Sequence, residues 1–404
     1  MMLSPLSASS CELVLGVLNQ VLIEGAPLDR AYSRHFSGLQ LAPAEQARIA
    51  LVTGDLLRRL NLFCYLADIE PARVEREGSR LINAWHLFHE LPLPKMKYAL
   101  PVDAAEFAGR LAQARNQGPL WDGCPAWLDT LGQAELGEAW PAERAALALA
   151  PKRYLRSNGL KCDPQALMAR LKGEGVDTQP VAGVPSALEV TSDAALFRTQ
   201  SFADGWFEQQ DAGSQLVADA LDVAPGMRVI DACAGAGGKT LHLAAKMQGR
   251  GRLLAMDVEQ WKLDNLKQRA RRAGAHNVET RLIAGSKTIK RLKLSADRLL
   301  LDVPCSGLGV LKRNPDAKWR DTEERLPVLM ELQEHILGSY SRMLKVGGIL
   351  VYATCSILPS ENRRQVDKFL AAQSNFRLLD DECITPANQG FDGFYLARIE
   401  RIAE

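Results

Sequence analysis

Arg228-Val-Ile-Asp-Ala-Cys-Ala-Gly-Ala-Gly-Gly-Lys-Thr240 decides the fold. A short apolar run ends in an acidic residue, passes through a glycine-rich turn and opens into a helical pattern. Such a strand-turn-helix offers free N–H groups at a helix N-terminus, beside backbone that a ligand can approach closely. Outward from it, after residue 201, strand-like runs at 228–233, 252–257, 280–285, 298–303 and 348–355 alternate with helical stretches. That alternation predicts an α/β fold with a doubly wound parallel sheet and helices on both faces. In such sheets ligands gather at the carboxyl ends of the strands, where every motif considered below falls.

The turn suits a nucleoside better than a phosphate. A Walker loop needs glycine where Cys233 stands, and a dinucleotide fingerprint starting at Gly235 and Gly237 needs one at Thr240. Asp257 closes the second run and supplies an acidic side chain for ribose hydroxyls. Together these features fit S-adenosylmethionine, cradled by Cys233, Ala234, Gly235, Ala236, Gly237, Gly238 and Lys239. Taken alone, the loop reads equally well as a structural glycine turn.

The fourth run ends at Asp302-Val-Pro-Cys-Ser-Gly-Leu-Gly309 and the fifth at Tyr352-Ala-Thr-Cys-Ser356. Neighbouring parallel strands deliver both ends to one rim, so Cys305, Cys355 and Asp302 are expected around one pocket. A single cysteine at a strand end is usually a small core residue. Two of them, with a carboxylate and a methyl donor, suit methylation of a pyrimidine at carbon 5. That carbon is a weak nucleophile until a thiolate adds to carbon 6, which divides one hard step into easier ones. Asp302 is the candidate to absorb the charge created at ring nitrogen 3. Expulsion of the first thiolate then gives the second cysteine a task.

The 404 residues suit two or three domains. Residues 1–148 read as helices: Leu13, Val14, Val17, Leu18, Val21 and Leu22 recur at helical spacing, as do Ile49, Val52, Leu56, Leu60 and Phe63 in a stretch from Ala44 to about Leu66. Residues 149–200 form a small α+β connector, with a strand at 154–158, a helix capped by Asp163 and an extended segment at 187–199. Residues 201–404 carry the α/β domain. No apolar run is long enough to cross a bilayer and no secretion signal opens the chain, which places it in the cytoplasm. Eight scattered cysteines and six histidines form neither a disulfide framework nor a metal site. Nothing demands an oligomer, so a monomer is expected. Net charge is +1, yet ten Lys or Arg face only Asp264 and Glu279 between Trp261 and Lys293. For such a run alone, a solvated helix face is the favoured reading.

These motifs resemble the Fmu/RsmB branch of the Sun-type RNA cytosine-C5 methyltransferases. DACAGAGGKT is similar to the family's DLCAAPGGKT, DVPCSGLGVLKRNPDAKW to its DAPCS-x-x-G-x-x-RRNPD-x-KW, and VYATCSILPSEN to its VYSTCS-x-x-x-x-EN. The likeness covers most of residues 201–401 and reaches more weakly to YLRSN and to the N-terminal helices, which resemble a NusB-type domain. It implies a class I methyltransferase sheet and S-adenosylmethionine as cofactor. Its partner would be RNA, ribosomal RNA favoured over transfer RNA by analogy alone. It further implies Cys355 as nucleophile, Cys305 as helper in release and Asp302 as the cytosine contact, also bordering the cofactor. Lys312, Arg313, Asn314, Lys318 and Trp319, just beyond the Cys305 loop, could then hold RNA backbone and bases. Two departures stand out: Ala236 replaces the usual proline, and Ser286 replaces an Asp that contacts adenine. The second gives some support to a rival reading, a non-catalytic RNA-binding or ribosome-assembly factor that retains the fold.

Overall fold

The computed structural model describes residues 4–320 and 322–404. It divides into two compact units: Met1–Pro151 with Val310–Arg325, and Lys152–Gly309 with Leu326–Glu404. No helix among the described residues is long and apolar enough to cross a membrane.

The first unit is helical. Its main helices are Ala8–Leu22, Pro43–Arg58, Leu60–Ala67 and Val74–Phe88. Val14, Val17, Leu18 and Val21 on the first meet Ile49, Val52, Leu56 and Leu60 in one fully buried core. Ser7 caps the first helix, its hydroxyl accepting from the Ser10 N–H at 3.1 Å. The stretch from Ala44 to Leu66, expected as one helix, breaks at Arg59, which leaves helical geometry at φ −123°, ψ 34°. The backbone there meets Gly123, where a Cβ would stand 2.2 Å from the Arg59 Cα. The Arg59 guanidinium lies 4.7 Å from the centre of the Phe88 ring and 5.1 Å from that of Trp121.

The second unit holds two sheets. The smaller is antiparallel, in the order β2-β3-β1-β4, from β1 (Arg153–Ser157), β2 (Thr178–Pro180), β3 (Ala187–Val190) and β4 (Phe207–Gln209). β4 completes the sheet of residues 149–200 from beyond residue 200. Asp163 caps the helix Pro164–Gly173, accepting from the Ala166 N–H at 2.7 Å. The extended segment expected at 187–199 stops at Val190 and turns through a 3-10 helix at Leu196–Arg198.

The larger sheet contains β5 (Arg228–Asp231), β6 (Arg252–Asp257), β7 (Val278–Leu282), β8 (Ala296–Asp302), β9 (Leu344–Thr354), β10 (Phe376–Ile384) and β11 (Phe394–Arg401). Its order is β10-β11-β9-β8-β5-β6-β7. β5 to β9 run parallel, and β11 inserts antiparallel between β9 and β10. The sequence reading stopped at five parallel strands; the antiparallel pair completes a seven-stranded sheet. The order reverses between β5 and β8, and that switch point opens a crevice at the strand tips.

Candidate active site

β5 ends at Asp231, whose Oδ2 accepts from the Thr240 hydroxyl at 2.7 Å. Burial pushes the Asp231 carboxyl up to about 7. Its Oδ1 is buried and has no partner among the described residues. The glycine loop follows, and the helix Gly238–Lys246 begins on Gly237 at φ +90°. A Cβ at Gly237 would stand 2.5 Å from Leu266 Cγ, so glycine alone lets the turn lie on the helix Gln260–Ala273. Two arginines brace the loop from behind: Arg156 donates to the Gly238 carbonyl at 2.5 Å and Arg269 to the Ala236 carbonyl at 2.6 Å. Arg269 and Arg272 also pair with the buried Glu208, so part of the basic run serves internal architecture rather than a solvated face.

Asp257 accepts from the Gly235 N–H and the Glu259 N–H, both at 2.9 Å, through different oxygens. Each oxygen keeps a lone pair for a ribose hydroxyl. A cavity of about 420 Å³ opens beside it, lined by Val258, Ile283, Ser286, Leu332 and Tyr340 among others. Apolar walls from Val258, Ile283, Ile289 and Leu332, the hydroxyls of Ser286, Ser339 and Tyr340, and a neighbouring carboxylate fit an adenosyl group. The orphaned oxygen of Asp231 fits the ammonium at the amino-acid end of S-adenosylmethionine.

The two thiols come together. Cys305 Sγ and Cys355 Sγ lie 3.3 Å apart, both partly exposed and unbridged. Asp302 Oδ2 accepts from Lys239 Nζ at 2.7 Å. Burial opposes the charge on Lys239, but Asp302, and more weakly Cys355, raise its pKa. Lys239 was expected only as part of the cofactor loop; here it ties that loop to the carboxylate expected on the base. Cys305 is driven well above the ordinary thiol range by its hydrogen bond with Cys355, by burial, and by the charges of Cys355 and Glu361.

Sequence reasoning missed what lies behind the thiols. Glu361, fully buried, accepts from the Ser306 N–H at 2.8 Å and the Gln333 amide at 2.9 Å through Oε1, and from the Ser306 hydroxyl at 2.5 Å through Oε2. Asn362 donates to the Ser356 carbonyl at 2.9 Å and accepts from Thr354 Oγ1 at 2.5 Å. Gly309 donates to the Cys355 carbonyl at 3.0 Å, and a Cβ on it would stand 2.3 Å from the Gly393 carbonyl oxygen. The signal was the Glu-Asn pair in SILPSEN, which no periodicity singles out.

The basic-aromatic segment beyond Gly309 packs largely within the helical unit. Lys318 is buried, donating to the carbonyls of Arg58 at 2.5 Å and Gly123 at 3.2 Å, and burial pushes its amine down to about 8. Trp319 Nε1 donates to the Leu57 carbonyl at 2.6 Å. Lys312 is buried too, its carbonyl accepting from Arg58 Nη1 at 3.1 Å. Of the five residues expected to hold RNA, Asn314 is exposed, Arg313 and Trp319 are half-buried, and Lys312 and Lys318 are buried.

The seven-stranded order, with its antiparallel β11 and a glycine turn after β5, defines a class I methyltransferase fold. Residues 218–400 match the family described as 16S rRNA methyltransferase RsmB/F, and residues 124–196 its ferredoxin-like domain. The chain belongs to the RsmB/F family. It is 35% identical over 270 residues to the probable ribosomal RNA small subunit methyltransferase B of Synechocystis, a match covering 66% of this chain and 60% of the relative. To the ribosomal RNA small subunit methyltransferase B of Vibrio cholerae it is 32% identical over 299 residues, 72% of this chain and 68% of that one. The chain thus spans about three fifths to two thirds of these relatives. Among solved structures, PH0851 superposes with a TM-score of 0.77 at 20% identity, covering 96% of this chain and 98% of its own. NSun6 from Pyrococcus horikoshii, solved with SFG, gives 0.63 at 19% identity over 69% of this chain and 99% of its own. Both likenesses bear on fold.

Proposed function

We propose that the protein transfers a methyl group from S-adenosylmethionine to carbon 5 of a cytosine in RNA, with ribosomal RNA favoured over transfer RNA. The observation that carries this reading is the pair of sulfurs 3.3 Å apart beside the Lys239–Asp302 ion pair. The relatives' name, ribosomal RNA small subunit methyltransferase B, supports the choice of RNA. The cofactor, when bound, supplies an electrophilic methyl group; Asp231, Asp257, Ser286 and the loop Cys233–Lys239 would hold it.

The chain's own work is to make carbon 5 nucleophilic. Cys355 adds as thiolate to carbon 6 of the cytosine, and Asp302 acts as the acid that passes a proton to ring nitrogen 3, where the added charge collects, leaving a carboxylate paired with Lys239. Lys239 holds Asp302 in place. Once carbon 5 is methylated, water at the rim takes its proton as the C5–C6 double bond re-forms, Cys355 departs as thiolate, and Cys305 stabilises the leaving sulfur by donating a hydrogen bond from its S–H. The target base must reach the rim, so it lies in a single strand or is flipped from a helix.

Trapping tests this. With S-adenosylmethionine and RNA bearing 5-fluorocytosine, the wild-type chain should form a covalent adduct seen as a gel shift, and Cys355→Ser should form none. With unmodified RNA, Cys305→Ser should accumulate an adduct that wild type releases. An undiminished fluorocytosine adduct in Cys355→Ser removes the nucleophile, and a chain that traps no RNA at all favours the ribosome-assembly reading.

A further inference from the structure

Two thiols in contact raise a question that the strand topology leaves open: which one carries the proton. The groups around them are asymmetric. On the Cys355 side stands the Lys239 ammonium, near enough to feel the sulfur's charge, with Asp302 behind it. On the Cys305 side stands Glu361, one residue removed through Ser306, together with the phenol of Tyr352. All three groups that hydrogen-bond the Glu361 carboxylate donate to it: a backbone N–H, an amide N–H and a hydroxyl. Such a set of donors suits a carboxylate. It is also a strap. Ser306 belongs to the Cys305 loop, and Gln333 joins Glu361 to the Pro304 carbonyl at 3.0 Å. The Glu361 carbonyl accepts from the Tyr352 hydroxyl at 2.7 Å, on the strand that ends in Cys355.

We infer that Glu361 is a positioning residue for the thiol pair: it clamps the Cys305 loop to the Cys355 loop, and as a buried anion on one side it keeps the shared proton on Cys305. Cys305 then enters as the hydrogen-bond donor, S–H toward Cys355, and Cys355 is the sulfur left free to attack. No bond beyond that hydrogen bond forms or breaks in this ground state. The charges therefore sort two chemically identical side chains into nucleophile and donor. This rests on the nucleophile assignment above, but its test needs neither RNA nor methyl donor, so a failure of either reading leaves the other readable.

In a Cys355→Ser chain, alkylation of Cys305 by iodoacetamide is followed against pH by site-resolved mass spectrometry. The midpoint should lie above that of a free thiol, about 8.5. Adding Glu361→Gln should lower it by about one pH unit, because an anion that opposes the thiolate is gone. Glu361→Asp, still charged, should restore the higher midpoint, and Ser306→Ala, which cuts one strap bond but keeps the charge, should leave it high. A purely structural Glu361 would move melting temperature in these variants without ordering the midpoints by charge. An unchanged midpoint in Glu361→Gln overturns the inference. If that variant does not fold, a Cys305 midpoint at or below the free-thiol value in the Cys355→Ser chain overturns it instead.

Discussion

The hydroxyl of Ser286 lines the 420 Å³ cavity beside Asp257, at the position where the family resemblance leads one to expect a carboxylate. A neutral hydroxyl can accept from an adenine amino group, but a charged acceptor makes a hydrogen bond roughly twice as strong. Ser286→Asp should therefore tighten S-adenosylmethionine by about 1–1.5 kcal/mol, roughly tenfold in Kd, in a calorimetric titration. Weaker binding in that variant would mean that the adenine does not lie against residue 286. At this scale the sequence was uneven as a guide. Cys305, Cys355, Asp302 and Asp257 stood out because chemistry at a strand tip needs those residue types. Glu361 did not, and Lys239 did so only as part of the cofactor loop, because their partners lie 55 and 63 residues away and only folding brings them together.

Elements carry the next level of specificity, and the turn after β5 shows it best. Gly235 and Gly237 both have positive φ, +53° and +90°, yet their surroundings differ. A Cβ at Gly235 meets nothing within 4 Å, whereas at Gly237 it runs into Leu266. Gly235→Ala should cost only the left-handed backbone, about 1 kcal/mol, while Gly237→Ala adds overlap in a packed contact for a total of roughly 2–4 kcal/mol. Differential scanning fluorimetry with and without S-adenosylmethionine should show the larger fall in Tm, and loss of the ligand-induced rise, for Gly237→Ala alone. Equal effects at both positions would remove the Leu266 contact as the reason for glycine. Four of the five parallel strands were legible because each is an apolar run closed by a chemical motif; β7, with Glu279 and Arg281 in it, lies at Val278–Leu282, two to three residues before the expected 280–285. The antiparallel pair was not: β10, with Asp380, Asp381 and Glu382 in its middle, does not look like a buried strand, since it lies on the sheet's edge. The break at Arg59 was hidden for another reason, because a hydrophobic stripe continues through it and only contact with Gly123 interrupts the helix.

At the scale of the whole molecule, the chain leaves the α/β unit after Gly309, gives residues 310–325 to the helical unit and then returns. No sequence pattern announces this, since Lys312, Lys318 and Trp319 have the composition of an exposed nucleic-acid loop. Docking the segment buries an amine that the unfolded chain keeps in water. Lys318 goes from an ordinary 10.5 to about 8 on folding. Below pH 8 the amine is charged in both states, and the folded state carries the burial penalty, about 3 kcal/mol from the size of the shift. Between about 8 and 10.5 the unfolded chain holds more protons than the folded one, so this residue's contribution to stability rises with pH. Other groups titrate in the same range, buried Cys11, Cys64 and Cys124 in the opposite sense, since each thiol is pushed up to about 12. The quantity to follow is therefore the difference from Lys318→Met, which keeps the bulk but not the charge. Five of the seven tryptophans (Trp85, Trp121, Trp127, Trp140 and Trp319) lie in the helical unit, so tryptophan fluorescence during urea unfolding reports mainly on that unit. The wild-type midpoint should gain on that of Lys318→Met as pH rises from 8 to 10.5 and run parallel to it below 8. A constant offset across the whole range would mean that the amine is hydrated in the folded protein, leaving the segment free to lift away and offer Lys318 and Trp319 to RNA after all.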